Sequence, residues 1–476
     1  MRLLAAVTLT GVAAATALPD PASAHALEGR TDLPIPVWMF AWGASLVLIV
    51  SFALFAVLWQ EPRLQRERWR PLPLAWTRIF CGLPARIISG AFGLLCLFLV
   101  IYSGLAGVQD AAINFSVTFV FVSFWIGMPI VSAIFGNVFS YLSPWRAVAD
   151  LVGLLATRLR IPSPELEYPR RLGRWPAVAV VIAFGWLELI GGAGISLLSP
   201  KTIAILTIAY SAWTFLGMYL FGVRVWHERG EGFAVYFEMF SRLSSFSLEN
   251  GRLGLRRFLS GAASWVTPPG SVALVLVAIG ITTFDGAQEG ALQGVIGSTT
   301  SALIDSGLIG ITSFRVSGTI WMAIVLIGVS MLFTLGIRGM HTVEGSPPVR
   351  ELMRSFSHTL IPIALAYLVA HYFSFLIFQE QAQFTYLLSD PLGEGSNLFG
   401  GADAGIDYGL VGNSTVWYVQ VASLLAGHIA GLALAHDRAM ATYGNPRMAF
   451  RSQYWLLAVM VGFTCLGLYL LSYGNA

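Results

Sequence analysis

The sequence predicts an all-α protein: a polytopic membrane helix bundle of about ten transmembrane helices, with both mature termini on the exported side. Three observations predict this class. Hydrophobic residues make up 56% and charged residues 11% of the 476 residues, and the mean hydropathy is +0.72. Apolar runs long enough to cross a bilayer recur along the chain, and basic residues cluster in alternate loops. This composition excludes an ordinary soluble domain.

Residues 1–24 have the features of a secretory signal peptide. Arg2 precedes an apolar run, and Ala22-Ser23-Ala24 forms a small-residue cleavage pattern. The alternative is an uncleaved first span, which Pro19 and Pro21 would interrupt. Cleavage would leave His25 as the mature N-terminus of a single multi-spanning membrane domain, residues 25–476.

Ten later segments are apolar enough to cross the hydrocarbon core, which takes about 20 helical residues. They are residues 37–59, 88–107, 113–136, 176–198, 202–222, 269–285, 318–337, 358–379, 415–436 and 454–473. The segment 269–285 is near the minimum length and begins after Pro268.

The basic residues give an independent test of this topology. Of the 28 Lys and Arg residues, all but Arg2, Arg30, Lys201 and Arg315 fall in loops predicted to be cytoplasmic. Cytoplasmic loops carry such an excess in membrane proteins. The clusters lie beside the spans and lack an interleaved aromatic surface, so the expected partner is the lipid bilayer and not nucleic acid.

Four loops are longer than simple connectors. Parts of the inner loops 139–175 and 226–265 are predicted to form short amphipathic helices lying on the membrane surface. The exported loops 285–317 and 378–409 are rich in Gly and polar residues, and we expect the second to form either a cover over the bundle or a functional lid. No phosphate-binding or dinucleotide motif is present, which argues against ATP-driven work by this chain alone.

Three ionisable residues, Glu188, His371 and His428, interrupt predicted spans. Such residues are costly in lipid and are functional candidates for that reason. At about 1.5 Å per residue, Glu188 lies roughly 18 Å and His371 roughly 20 Å from the inner edge, against roughly 12 Å for His428. Matching depth would let Glu188 and His371 meet. For each histidine a hydrogen-bonded structural role is the alternative, and Gly427 with Gly431 beside His428 is typical of helix packing.

Imidazole and carboxylate together suit a divalent transition metal such as Zn, Cu or Mn. We consider a metal held by His371 with His428 or with His25, whose free α-amine would add a second donor. Glu188 or Asp285 would then serve as ligand or base. No close-set ligand motif occurs, so metal binding and proton transfer both stay open.

Four passages resemble a known family: HALEGRTDLPIPVWMFAWGAS, SHTLIPIALAYLVAHYFSFLIFQ, SDPLGEGSNLFG and AGHIAGLALAHDRAM. They are similar to the bacterial membrane proteins labelled fenitrothion hydrolase. The resemblance implies an inner-membrane system of two related chains that hydrolyses organophosphorus triesters such as fenitrothion and releases a nitrophenol. It brings no catalytic motif that can be assigned to residues here.

Two other functions stay open at this point. One is a transporter or metal-handling protein in which the buried His and Glu residues mark an ion path. The other is a structural subunit that supports a catalytic partner.

Overall fold

The computed structural model describes residues 37–65, 68–160, 164, 166–192 and 199–473. The predicted signal peptide, His25 and the chain termini lie outside these residues. Within them, nine helices are long and apolar enough to cross a membrane. The prediction of a polytopic helical membrane protein is therefore confirmed.

The described helices and strands have the following bounds. The first half contains α1 Val37–Leu58, β1 Arg70–Pro71, α2 Leu74–Cys81, α3 Leu83–Ala106, α4 Phe115–Thr118, the π-helix π1 Phe119–Gly127, α5 Met128–Phe135, α6 Phe139–Leu142, α7 Pro144–Arg158, α8 Trp175–Trp186, the π-helix π2 Leu187–Gly191, α9 Pro200–Phe221, α10 Val223–Arg229 and α11 Gly232–Ser241. The second half contains β2 Phe246–Glu249, β3 Arg252–Leu255, α12 Ser260–Ala263, α13 Ser271–Gln288, α14 Gln293–Asp305, α15 Gly310–His341, α16 Val349–Phe356, the 3-10 turn Ser357–Leu360, α17 Ile361–Phe384, α18 Tyr386–Ser389, α19 Asn413–Tyr443, α20 Pro446–Ser452 and α21 Tyr454–Tyr473.

One predicted span corresponds to a shorter helix within the described residues. The segment 176–198 corresponds to a continuous apolar helix, α8 with π2, which extends from Trp175 to Gly191. Residues 193–198 lie outside the described part of the chain. The described residues therefore contain nine full-length candidate spans and one shorter apolar helix, where the sequence predicts ten spans.

Helix α11 is not the surface-lying helix that the sequence predicts. Every residue from Gly232 to Ser241 is buried except Glu238, and α11 packs against α5, α8 and α17. The prediction fails because α11 has no polar face: its single charged residue pairs with arginines, and aromatic side chains surround the rest of it. A helix that is hydrophobic all round belongs in a core. The other predicted surface helix, α7, exposes Leu151, Val152, Leu154 and Leu155.

The two long loops predicted on the exported side contain more helix than expected. Asp285 belongs to α13 and is 3% exposed, and Arg315 belongs to α15, so neither lies in a connecting loop. Between them α14 packs on α15, where the Trp321 indole donates to the Thr299 hydroxyl. The second loop begins only after α18 and docks on the 107–115 turn, where Val108 N donates to the Leu392 carbonyl.

At the predicted inner end, one buried carboxylate fixes the start of the chain's first inner loop. Asp437 in α19 is fully buried and accepts hydrogen bonds from the backbone N–H groups of Arg63, Leu64 and Gln65 and from the Trp59 indole. Nearby, β3 lies between β1 and β2 in a small antiparallel sheet, with Leu255 opposite both Arg70 and Phe246. These contacts join the loops at this end of the bundle.

Arg174 holds the beginnings of α8 and α13 together, also at the predicted inner end. Its backbone N–H donates to the Pro269 carbonyl at 2.6 Å, and its guanidinium lies 3.3 Å from the hydroxyl of Ser271, the first residue of α13. The same guanidinium is 3.5 Å from Glu238 of α11 and stacks over the Trp265 ring. Three elements thus meet on one cation, which we call the Arg174 clamp.

Glu238 is the anion of this clamp. Burial alone would raise the pKa of Glu238, but Arg242 and Arg174 on either side, with their hydrogen bonds, hold that pKa below its ordinary value of 4.5. A depressed carboxyl pKa means that the unfolded chain binds the proton more tightly. The contribution of Glu238 to stability is therefore present above about pH 4.5 and is lost as the pH falls through the folded-state pKa.

We predict that Glu238→Gln lowers the free energy of unfolding by about 3 kcal/mol at pH 7, because it leaves the buried Arg174 without its charge partner. Acidification below about pH 4.5 should destabilise the wild-type protein more than the variant. Thermal unfolding in detergent, followed by tryptophan fluorescence, measures both effects. Glu228→Gln is the matched control, because its pair with Arg224 is exposed. Equal pH profiles for wild type and Glu238→Gln would contradict the clamp.

Candidate functional site

Helices α8 and α13 pack in parallel with a fixed offset, and this offset brings their acidic residues together. Gly173 lies against Pro269, and the same number of residues later Gly185 lies against Ile281, whose Cδ1 would be 2.7 Å from an added Cβ. Gly173 adopts φ +48°, a conformation that favours glycine. One turn beyond the Gly185–Ile281 contact, Glu188 and Asp285 reach the same level of the bundle.

Asp285 is the centre of a buried polar cluster. Its Oδ2 lies 2.8 Å from His371 Nε2 and accepts a hydrogen bond from the Tyr372 hydroxyl at 2.5 Å. Its Oδ1 accepts from the Gln288 amide at 3.1 Å. Tyr372 is buried, and the His371 side chain is 14% exposed. The carboxylate thus joins α13 to two consecutive residues of α17.

Glu188 faces this cluster from π2, which continues α8. It lies within electrostatic range of Asp285 and beside the Trp125 indole, which stacks on Tyr236 with ring centroids 4.8 Å apart. The residue as a whole is half-buried, but its Oε2 atom is buried and has no hydrogen-bond partner among the described residues. A carboxylate oxygen left unsatisfied in this setting is costly and so indicates function.

The backbone around Glu188 is irregular on both sides of the contact. Glu188 lies in π2, and Trp125 lies in π1, a nine-residue π-helix. Wide turns of this kind are rare and are found frequently at functional sites. Arg315 of α15 donates to the Gly191 carbonyl at the end of π2, and its Nε has no partner among the described residues. The cluster therefore has a cation at the predicted exported side.

His428 lies apart from this cluster. Gly427 is in contact with Ala366 and Pro362, and Gly431 with Thr359 and Ile363, so α17 and α19 are antiparallel and closely packed through the two glycines. His428 is then level with residues 362–366 of α17, roughly 10 Å along the axis from His371. Its Nδ1 lies 2.8 Å from the Leu424 carbonyl in its own helix.

The structure joins His371 to Asp285 and shows His428 bonded within its own helix, so a metal shared by His371 and His428 stays a prediction. Within the described residues, no group of three or more His, Cys, Asp or Glu side chains could hold a metal ion. Asp285 and His371 supply two donors, and His25 lies outside the described residues.

Sequence reasoning identified Glu188, Asp285 and His371, which the structure brings together, but it missed Tyr372 and Gln288. Tyr372 follows His371 directly, and Gln288 lies one turn after Asp285 on α13. A polar residue one turn from a buried carboxylate is the signal that could have identified Gln288. Tyr372 has no such signal, because aromatic residues are common in membrane helices.

Comparisons of the chain with protein-family models, with curated proteins and with solved structures gave no match.

We predict that two isosteric amide substitutions have different effects on the free energy of unfolding. Asp285→Asn replaces an acceptor oxygen with a donor in front of buried donors and should lower the free energy of unfolding by about 2 kcal/mol. Glu188→Gln removes an unsatisfied carboxylate oxygen, so stability should be unchanged or higher, as is common when functional residues are replaced. Thermal unfolding of the two variants in the same detergent measures the difference. A loss with Glu188→Gln as large as with Asp285→Asn would show that Glu188 is a structural residue.

Proposed function

We propose that this chain is a membrane-bound hydrolase, or an essential subunit of one, that cleaves organophosphorus triesters such as fenitrothion. The observation that supports it is the Asp285–His371 pair, with the Tyr372 hydroxyl on the same carboxylate oxygen. A histidine oriented by a carboxylate is a recurrent general base. The resemblance to the fenitrothion hydrolase family suggests the substrate.

In this proposal His371 activates water. Its Nε2 faces Asp285, and its ring lies beside Gly286, where an added Cβ would be 3.7 Å from Nδ1. Water attacks phosphorus and gives a proton to the His371 imidazole, and the P–O bond to the aryl group breaks. The nitrophenolate leaves with the bonding electron pair. Asp285 stabilises the imidazolium that forms, and the proton then passes to solvent.

Replacement of His371 tests the proposal. We expect His371→Gly and His371→Asn to lower nitrophenol release from fenitrothion by about 100-fold or more at equal protein level, the usual effect of losing a general base. Added imidazole should partly restore His371→Gly. The control is His341→Ala, because His341 is exposed and binds only the Pro347 carbonyl among its described contacts. Unchanged release by the His371 variants would remove this residue from the reaction.

The resemblance implies a second related membrane chain, so the assay is made on membranes with this chain alone and with that chain co-expressed. Release of nitrophenol by this chain alone supports a complete hydrolase, and release only with both chains supports a subunit. No release in either case, with both proteins present in the membrane, overturns the hydrolase proposal.

A divalent transition metal is a further proposal, supported by donor chemistry. Carboxylate and imidazole suit Zn, Cu or Mn, and a metal lowers the pKa of bound water. Asp285 and His371 are the described donors, and His25 is the candidate for a third. Loss of activity in a chelator, with recovery on adding one of these ions, would support it. Activity that is unaffected by chelation overturns the metal and leaves the general base.

The unpartnered carboxylate oxygen of Glu188 favours a second candidate function, a proton or cation path through the bundle. In this proposal, Glu188 and Asp285 bind the proton or cation one after the other, and His371 transfers the proton between them. Uptake of an ion into proteoliposomes, lost in Glu188→Gln and absent from empty liposomes, would support transport. Hydrolysis without any ion movement would exclude it as the main activity.

A further inference from the structure

A large apolar cavity is lined mainly by helices from the first half of the chain. It has a volume of about 790 Å³ and is enclosed by α3, π1, α5, α8 and α9, with α17 at one end and α6 and α7 at the other. This volume is within the range of roughly 300–1,000 Å³ typical of small-molecule pockets. Along α3 the lining extends from Phe92 to Val100, which corresponds to about 12 Å.

Hydrocarbon dominates the lining of this cavity, which has few polar groups. Thr207 and Tyr210 lie toward one end, where the Tyr210 hydroxyl already binds Glu231. Gln383 and Ser123 line it on the other side. The long apolar wall predicts a ligand with an extended apolar chain, because polar ligands would lose their hydration without compensation.

Gln383 indicates what the ligand carries at its end. The residue is 4% exposed and lies in the last turn of α17, and its Oε1 has no hydrogen-bond partner among the described residues. A buried amide oxygen without a donor is costly, so the expected ligand donates a hydrogen bond to it.

The entrance to the cavity faces lipid. Phe92, Leu95 and Leu206 line the cavity and are also 56%, 52% and 40% exposed on the outer surface of the bundle. In a membrane that surface contacts acyl chains, so a ligand can enter sideways from the bilayer without crossing water.

We propose that this cavity binds a single-chain lipid whose head group donates a hydrogen bond, such as a long-chain alcohol. The chain lies between α3 and α9, and the head group donates to the Gln383 amide oxygen. This site is separate from the Asp285 cluster and does not depend on the proposed hydrolysis.

Two photoreactive probes test the proposal on the full-length protein in nanodiscs: a diazirine-bearing hexadecanol and its methyl ether, which has the same chain but no donor. Adducts are located by peptide mass spectrometry. We expect the alcohol to label α3, π1 and α9 about fivefold more than the ether does, the difference expected for one hydrogen bond of about 1 kcal/mol. In Gln383→Leu the two probes should label these helices equally.

A matched pair of alanine substitutions tests the cavity itself. Ala183→Phe places a ring in the cavity and should lower labelling of α3 and α9 by the alcohol about tenfold. Ala323→Phe, on an exposed position of α15 outside the lining, should leave it unchanged. If Ala183→Phe does not elute as a single species, Thr207→Phe fills the same space from α9.

Labelling that is spread evenly over α3, α9 and α15 in the wild-type protein would overturn the proposal. So would labelling of α3 and α9 that neither Ala183→Phe nor Thr207→Phe reduces, or an ether that labels the wild-type cavity as strongly as the alcohol does.

Discussion

The Arg174 clamp is the interaction on which the rest of the structure depends. One guanidinium bonds Ser271 and pairs with Glu238, while the backbone N–H of the same residue holds the Pro269 carbonyl. These bonds fix where α8 and α13 begin relative to each other. Two parallel helices that start in register stay in register, so the contacts of the glycines at 173 and 185 repeat at the same offset. The position of Glu188 beside Asp285, roughly 20 Å along the helix axis from Arg174, follows from this start.

The sequence was sufficient to predict the features that depend on hydropathy and charge along the chain. It was not sufficient to predict the features that depend on which helices contact each other. The spans were predictable because lipid demands long apolar helices. Glu188 and His371 were predictable as candidates because ionisable groups in lipid are costly. The partner of His371 was not predictable, because the depth of a residue in the membrane does not show which helices contact each other. Asp285 is that partner, and the sequence placed it at the start of a loop when it is within α13.

Helix α11 was misassigned for a related reason. In the sequence, Glu238 and Arg242 resemble a solvent-exposed helix face, and only the structure shows that Arg174 contacts Glu238.

The bundle contains two sites of different polarity, the Asp285 cluster and the apolar cavity. Around Asp285 the helices supply donors to a carboxylate, and the irregular turns of π1 and π2 hold Trp125 and Glu188 against it. On the far side of π1 the same helix lines an apolar cavity open to lipid. One π-helix therefore borders both a polar cluster and a hydrocarbon-lined space.

The central claim is that Asp285 and His371 act as one acid–base unit. A double-mutant cycle on nitrophenol release measures this directly, with Asp285→Ala, His371→Ala and the double variant compared at equal protein level. Residues that act as a unit are strongly non-additive. The double variant should therefore be no less active than the His371→Ala single variant. The contradicting result is a double variant whose loss of activity equals the product of the two single losses. The free-energy effects of the two substitutions would then be additive, and Asp285 and His371 would act independently.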